Sequence, residues 1–186
     1  MYVYENLVKH ICDDKPYLLE HAQFNSENGY QRLYDTCKRL NFPLLIGGDH
    51  SVASSSVMAS NQKYKDMHVI WIDAHPDIHT YKSTASGNKH GTPLSVCMGL
   101  EKMHWCSRMS LKKLPFENLT YVGIRDIDDF EAAVIKERNI RHLGVGECVD
   151  FIRKLDKPIH ISFDVDALDP SLVSSTGTRV PDGMFP

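Results

Sequence analysis

Length, composition and charge are those of an ordinary globular chain with room for one hydrophobic core. The 186 residues are 42% hydrophobic and 24% charged, and 21 Lys and Arg against 24 Asp and Glu give a net charge of −3. The sequence has no basic block and no apolar run of membrane-span length, so it indicates neither a nucleic acid nor a membrane as partner. Because it lacks a signal-peptide pattern and its five cysteines are dispersed without CxxC spacing, we expect a cytoplasmic protein with reduced thiols.

Apolar periodicity predicts strands and helices in alternation along the chain. The first helix is predicted over residues 26–40, with Ser26 as a candidate N-cap, and the first strand over Leu44–Ile46. Further strands are predicted at residues 69–73, 119–125, 140–143 and 159–164. Further helices are predicted at residues 51–62, 92–100, 130–138 and 149–155. This order is typical of an α/β fold with a parallel sheet between two helical layers, a three-layer αβα arrangement, and we expect one domain over residues 1–186.

Three of the predicted strands, at residues 44–46, 69–73 and 159–164, lead into side chains that bind metals. The second begins with the apolar run Val69–Ile72, which is typical of a strand buried on both faces. Asp73, His75 and Asp77 follow at spacing i, i+2 and i+4, which turns their side chains to one side of an extended backbone. Ligands bind at the carboxyl ends of strands in open parallel sheets. A hydrated acidic turn is the alternative at any single strand, but three such strands favour a metal site. The candidate ligands are His50, Asp73, His75, Asp77, Asp164 and Asp166.

Four carboxylates and two imidazoles are too many ligands for one tetrahedral ion, and they suit two ions that share bridging carboxylates. An oxygen-rich set with some imidazole and no thiolate favours Mn²⁺ over Fe²⁺, Co²⁺, Ni²⁺ or Zn²⁺. Two such ions about 3.5 Å apart generate hydroxide near neutral pH. The carboxylates balance the charge of two divalent ions, so the added hydroxide makes the centre negative and favours a cationic substrate. His90, in the loop that follows, is a candidate proton shuttle, with an ordinary loop histidine as the alternative.

Four segments of the chain resemble the signatures of the ureohydrolase family, and within it they are most similar to arginases. They are GGDHS at 47–51, DAHPD at 73–77, SGNKHGTP at 86–93 and SFDVDALDPS at 162–171, in the order of the family. The resemblance implies an arginase-like fold and a two-manganese hydrolase that converts L-arginine and water to L-ornithine and urea. It also implies a homo-oligomer, with a trimer as the usual form.

The resemblance further implies a role for each candidate residue. One ion would be held by His50, Asp73, Asp77 and Asp164. The other would be held by His75, Asp73, Asp164 and Asp166, so that Asp73 and Asp164 bridge. His90 would be the catalytic proton shuttle. The residues expected to contact the substrate are His79, Thr84, Ser86, Asn88, Asp128, which would face the α-amino group, and Thr178.

The chain departs from the arginase pattern at three places. His79 stands where an Asn usually contacts the substrate carboxylate, and Arg179 stands where a Pro is usual. The sequence stops at Pro186, whereas the family continues and supplies a Glu that pairs with the guanidinium. We therefore expect a fold that is incomplete at the C-terminus, and feeble or no hydrolysis of L-arginine by these residues alone. Two alternatives stay open: a weak or inactive metal-binding paralogue, and a ureohydrolase with another guanidino substrate such as agmatine.

Overall fold

In the computed structural model, which describes residues 27–185, six α-helices alternate with four β-strands. The helices are α1 (Glu27–Arg39), α2 (Ala53–Lys63), α3 (Pro93–Met98), α4 (His104–Met109), α5 (Asp129–Glu137) and α6 (Val145–Lys154). The strands are β1 (His68–Ile72), β2 (Leu119–Val122), β3 (Arg141–Leu143) and β4 (Ile159–Phe163). Among the described helices, none combines the length and apolar character that a bilayer crossing needs. Ser26 lies outside the described residues, and the single domain over residues 1–186 stays a prediction.

The four strands form one parallel sheet in the order β3-β2-β1-β4, which confirms the predicted parallel sheet. Ile72, the last residue of β1, lies opposite Val122 of β2 and Phe163 of β4. The ladder continues one residue further, because Asp73 N–H donates to Val122 O at 3.1 Å and Asp164 N–H donates to Ile72 O at 2.9 Å. The ends of β1 and β4 are therefore level, and the acidic residues that follow them meet at the same edge of the sheet.

Helices cover both faces of the sheet, as the alternation of elements predicts. On one face, Val69 and Trp71 of β1 are fully buried in a core that also contains side chains of α1, α2, α3 and α4. On the other face, the fully buried Ile70 packs with Cys148 and Phe151 of α6. Burying each large apolar side chain contributes about 1.5–3 kcal/mol, so β1, which is buried on both sides, anchors the sheet. The three-layer αβα arrangement is confirmed.

The strand predicted at Leu44–Ile46 is wrong. Within the described residues this segment pairs with no other strand, and Leu44 is 50% exposed. A slot of about 230 Å³ separates residues 43–48 from β4, which has a partner on only one side. Apolar residues form a strand only where a neighbour supplies hydrogen bonds, and the sequence pattern does not reveal that neighbour.

The strand at residues 159–164 is present but partly exposed, because β4 is an edge strand of the described sheet. Ile161 is 59% exposed and Phe163 is 51% exposed. Its other edge faces the slot beside residues 43–48, so the side chains on that side have little apolar surface to pack against. The strand still presents Asp164 at the same edge of the sheet as Asp73, because its pairing with β1 fixes the register.

Candidate metal centre

His50 lies at the centre of the first group of candidate ligands. Its Nδ1 atom is 3.0 Å from Asp73 Oδ2, 3.0 Å from Asp77 Oδ2 and 3.1 Å from Asp164 Oδ2. A short 3-10 turn that begins at His50 carries the ring, and Asp49 Oδ1 caps this turn by accepting from Ser51 N–H at 2.9 Å. The imidazole therefore reaches the edge of the sheet from a loop, although residues 44–46 before it form no strand.

The surroundings of His50 fit a cation. Its Nδ1 is buried and forms no hydrogen bond among the described residues, although three carboxylate oxygens surround it. The other ring nitrogen, Nε2, lies 2.9 Å from Ser162 Oγ, a hydroxyl that can accept its proton. An imidazole that donates through one nitrogen presents a lone pair at the other, which is the arrangement found in metal-binding histidines. A lone pair among carboxylates is repulsive unless a cation lies between them.

His75 belongs to a second group that shares Asp73 with the first. His75 Nδ1 lies 3.2 Å from Asp166 Oδ2 and 3.5 Å from Asp73 Oδ1. Asp73 thus turns one oxygen to each histidine, as a carboxylate that bridges two ions would. Asp164 contacts the first group with Oδ2, while its Oδ1 accepts from Asp166 N–H at 3.0 Å. The bridging role of Asp164 stays a prediction, because its side chain contacts a histidine only in the first group, through Oδ2.

The electrostatics of the centre show how strongly its carboxylates require positive charge. Burial alone would lower the pKa of His75, but hydrogen bonds to Asp166 and Asp73 raise it to about 10. Burial would likewise lower the pKa of His50, and the carboxylates of Asp164, Asp73 and Asp77 around its Nδ1 raise it well above its usual 6.5. Burial, together with the negative charge of Asp73, raises the pKa of Asp77 to about 7. Protons neutralise the carboxylates when no metal does so, and divalent cations would replace those protons.

The backbone at the site is held in unusual conformations. Asp77 has a φ of 51°, in the left-handed region that residues other than glycine occupy at a cost of about 1–3 kcal/mol. Gly123, directly after β2, has a φ of 86°, and a Cβ atom there would lie 3.3 Å from the carbonyl oxygen of Asp73. The turn after β2 therefore packs closely against the ligand-bearing turn after β1.

Three residues that hold the ligands were missed by sequence reasoning. Trp71 stacks on the His50 ring at 4.3 Å, and its Nε1–H donates to Asp73 Oδ2 at 3.0 Å. Arg125 donates to the carbonyl oxygen of Asp166 at 2.8 Å. Asp126, next to it, has Oδ2 3.5 Å from His75 Nε2. In the sequence, only their positions could have indicated this role. Trp71 precedes the ligand Asp73 by two residues, and Arg125 and Asp126 follow the end of β2.

Three of the predicted substrate residues lie on the loop that follows the ligands of β1. Thr84 Oγ1 is 3.2 Å from Ser86 Oγ, which accepts from Asn88 N–H at 3.2 Å. A cavity of about 520 Å³ separates residues 87–89 of this loop from residues 45–49. The side chain of His90 is 43% exposed, with Nδ1 3.9 Å from Asp49 Oδ2. This loop therefore opens onto solvent beside the turn that carries His50.

The other three predicted substrate residues are engaged within the protein. Thr178 Oγ1 donates to Asp166 Oδ2 at 2.9 Å, so it supports a candidate metal ligand directly. Asp128 is the N-cap of α5, with Oδ1 accepting from Glu131 N–H at 2.9 Å. Its Oδ2 lies 2.9 Å from His79 Nε2. The histidine that departs from the arginase pattern thus contacts the carboxylate expected to receive the substrate's α-amino group.

Two histidine–carboxylate groups that share a carboxylate, at the carboxyl edge of a parallel sheet, define an α/β protein with a candidate dinuclear metal centre. Residues 3–186 match the Arginase family, and the chain belongs to that family.

Known arginases are similar to the chain in sequence and in structure. It is 40% identical to the arginase of Schizosaccharomyces pombe over 157 residues, which cover 75% of this chain and 47% of that protein. The crystal structure of the arginase from Bacillus subtilis superposes with a TM-score of 0.84 at 29% identity and covers 98% of this chain and 72% of that one. The arginase from Entamoeba histolytica in complex with L-ornithine superposes with a TM-score of 0.76 at 34% identity, over 91% and 65% of the two chains. The chain thus has an arginase-like fold and spans about half the length of the S. pombe enzyme.

Proposed function

We propose that this protein hydrolyses L-arginine to L-ornithine and urea at a centre of two Mn²⁺ ions. The observation that carries the proposal is Asp73, which directs Oδ2 to the His50 group and Oδ1 to the His75 group. Family membership supports the hydrolytic chemistry, and the L-ornithine bound to the Entamoeba histolytica arginase supports the product. An oxygen-rich donor set with two imidazoles supports manganese.

The proposed ligands supply charge and geometry for two ions. His50, Asp77 and Asp164 would hold one, His75 and Asp166 the other, and Asp73 both. When bound, such ions lower the pKa of water so that hydroxide forms near neutral pH. The four carboxylates offset the charge of two divalent ions, and this balance supports a cationic guanidinium as the substrate group.

The loop residues would orient the substrate and move a proton. Hydrolysis adds water across one guanidinium C–N bond, with the oxygen going to carbon and a proton to the departing amine of ornithine. His90 is partly exposed beside the cavity, so it can exchange protons with solvent and donate one to that amine. The hydroxyls of Thr84 and Ser86 and the amide of Asn88 are donors suited to the α-carboxylate of an amino acid.

A second candidate substrate is a guanidino compound without an α-carboxylate, such as agmatine, which keeps the primary ammonium group. The contact that favours it is His79 Nε2 at 2.9 Å from Asp128 Oδ2, because this contact engages the residue that stands where an Asn usually contacts the substrate carboxylate. Agmatine has no carboxylate for that residue to bind. The two substrates therefore differ in their need for a hydrogen-bond donor at position 79.

Urea release at measured Mn²⁺ occupancy tests the proposal. We expect urea from L-arginine above the metal-free control, at a low rate, and loss of this activity in Asp164→Asn, which keeps the shape of the ligand. The matched control is Asp150→Asn, on the exposed face of α6. Urea from agmatine alone would favour the second substrate. No urea from either compound at full occupancy would contradict the proposal and favour the alternative of an inactive metal-binding paralogue.

We also propose a cytoplasmic location and a homo-oligomer, with a trimer as the form that the family resemblance implies. The dispersed cysteines support a reducing compartment. Exposed apolar side chains at the edge of the sheet, among them Ile161 and Phe163, support contact with further protein surface. Sedimentation analysis of the metal-loaded chain tests the oligomer, and a monomer at micromolar concentration would contradict it.

A further inference from the structure

A third histidine–carboxylate group lies outside the proposed dinuclear centre, where a loop meets the first turn of α5. It consists of His79, Asp128 and Glu131, and one ligand atom from each lies within 4.8 Å of the others. His79 Nε2 is 2.9 Å from Asp128 Oδ2 and 3.9 Å from Glu131 Oε2. Both carboxylates are thus directed at the same ring nitrogen from neighbouring positions of one helix.

Hydrogen bonds and a ring contact hold the imidazole of His79 in place. Its Nδ1 lies 3.0 Å from Ser83 Oγ and its Nε2 lies 2.9 Å from Asp128 Oδ2, so the neutral ring can donate to one of them. Ser83 Oγ also accepts from Thr80 N–H at 2.9 Å and from Thr80 Oγ1 at 3.1 Å. The ring stacks on Phe130 at 5.4 Å. In the tautomer with its proton on Nδ1, Nε2 presents a lone pair to the carboxylates, and a bound cation would select that tautomer.

Glu131 is an independent sign that positive charge belongs here. It is only 5% exposed, and no Lys or Arg of the described residues pairs with it. Its Oε1 accepts from Ile78 N–H at 3.3 Å, whereas Oε2 faces the imidazole across a distance too long for a hydrogen bond. A buried carboxylate without a paired cation carries a desolvation cost that a bound metal ion would offset.

We propose that His79, Asp128 and Glu131 form a third cation site, suited to Zn²⁺ and separate from the dinuclear centre. Bonds of about 2.0–2.1 Å in tetrahedral geometry place zinc ligands about 3.3 Å apart. The pair at 2.9 Å must therefore open by about 0.4 Å, and the pair at 3.9 Å must close by about 0.6 Å. One imidazole and two carboxylates leave a fourth position for water or a ligand. The side chain of Asp128 is 53% exposed, which gives a cation access from solvent.

A cation in this site would also change substrate binding, and this consequence rests on the proposed function. Asp128 is the residue proposed to receive the α-ammonium group of L-arginine. Zn²⁺ bound to the same carboxylate would exclude that ammonium by charge and by position. We expect added Zn²⁺ to raise the KM for L-arginine, and to raise it less in His79→Asn, which lacks the nitrogen ligand.

Counting bound Zn²⁺ by equilibrium dialysis and elemental analysis tests the site. We expect the wild-type chain to hold one more Zn²⁺ than His79→Asn and one more than Asp128→Asn. Asp128→Asn keeps the Oδ1 acceptor that caps α5, so it guards against loss of fold in the first variant. His142→Asn, an exposed histidine on β3, is the matched control and should bind as many ions as the wild type.

The Zn²⁺ count tests the third site independently of the proposed function, because it compares the ions bound by the wild type and its variants and does not depend on activity. Equal Zn²⁺ counts for the wild type, His79→Asn and Asp128→Asn would overturn the third site and leave the dinuclear centre in place. A deficit of one ion in both variants would support the third site even if L-arginine were not hydrolysed. The Co²⁺-loaded chain gives a second readout, since loss of the His79 nitrogen should remove one component of the visible absorption.

Discussion

Replacing Arg125 by Lys should destabilise the fold and weaken metal binding together. The guanidinium donates to five carbonyl oxygens, and an ammonium has three donors at most, so at least two bonds are lost. Hydrogen bonds to charged groups contribute about 1.5–3 kcal/mol each, so two lost bonds correspond to about 3–6 kcal/mol. Because the side chain is half-buried, water replaces part of this loss, and we expect about 2–4 kcal/mol. The acceptors are the carbonyl oxygens of Pro181 (2.8 Å), Gly123 (3.2 Å), Ala167 (3.3 Å), Asp166 (2.8 Å) and Val180 (2.7 Å).

Urea denaturation of the metal-free chain, followed by tryptophan fluorescence, measures the effect of Arg125→Lys. Arg153→Lys is the matched control, because Arg153 is 75% exposed and its pair with Asp150 is long, at 3.5 Å. We expect that control to change the free energy of unfolding by less than about 0.5 kcal/mol. A loss below about 1 kcal/mol for Arg125→Lys, with unchanged Mn²⁺ affinity, would refute the argument that this guanidinium holds residues 166–167 in place.

Two further predictions concern linkage to metal and to protons. Mn²⁺ at about a hundred times its dissociation constant should stabilise the fold by about 2.7 kcal/mol and raise the melting temperature by about 5–11 °C. Asp164→Ala should remove most of this rise in a thermal scan, and an unchanged melting curve for the wild type would count against the centre. Burial, with smaller effects from nearby cations, lowers the pKa of His68 to about 4 from its usual 6.5. The unfolded chain then binds the proton first, so this histidine should cost up to about 3 kcal/mol of stability as pH falls from 6.5 to 4. His68→Gln should flatten the dependence of the free energy of unfolding on pH between 6.5 and 4, whereas the control His104→Gln, at an exposed position, should leave it unchanged. Equal pH profiles for the two variants would contradict the assignment of this dependence to His68.

Much of the fold followed from local patterns. The strand at Val69 and the helices predicted at residues 51–62 and 130–138 are present within a few residues of their expected bounds. Periodicity is reliable in such segments because burial on one or both faces dictates residue type directly.

The errors concern partners that lie far away in the sequence. Leu44–Ile46 is as apolar as a strand, but it does not pair within the described residues. The strand β4 is apolar as well, yet Phe163 is half exposed, because within residues 27–185 that strand pairs on one side only. Whether an apolar segment is central, at an edge or unpaired depends on the order of strands, which local sequence does not encode.

The candidate site shows the same division between local and distant information. Spacing predicted that Asp73, His75 and Asp77 share one side of the chain, and strand ends predicted that Asp164 joins them. The Arg125 contacts to residues 166–167 and 180–181, and the hydrogen bond from Thr178 to Asp166, connect segments that only the folded chain brings together. The contact between His79 and Asp128 also depends on the packing of a loop on α5.

The number of Mn²⁺ ions bound per chain tests the central claim, a dinuclear centre shared by Asp73, most directly. The measurement is made on His79→Asn chains, so that the proposed third site does not contribute. We predict two ions for this chain, one after adding either His50→Asn or His75→Asn, and none held tightly after adding Asp73→Asn. One ion in the starting chain, or two ions that survive the loss of Asp73, would contradict the account.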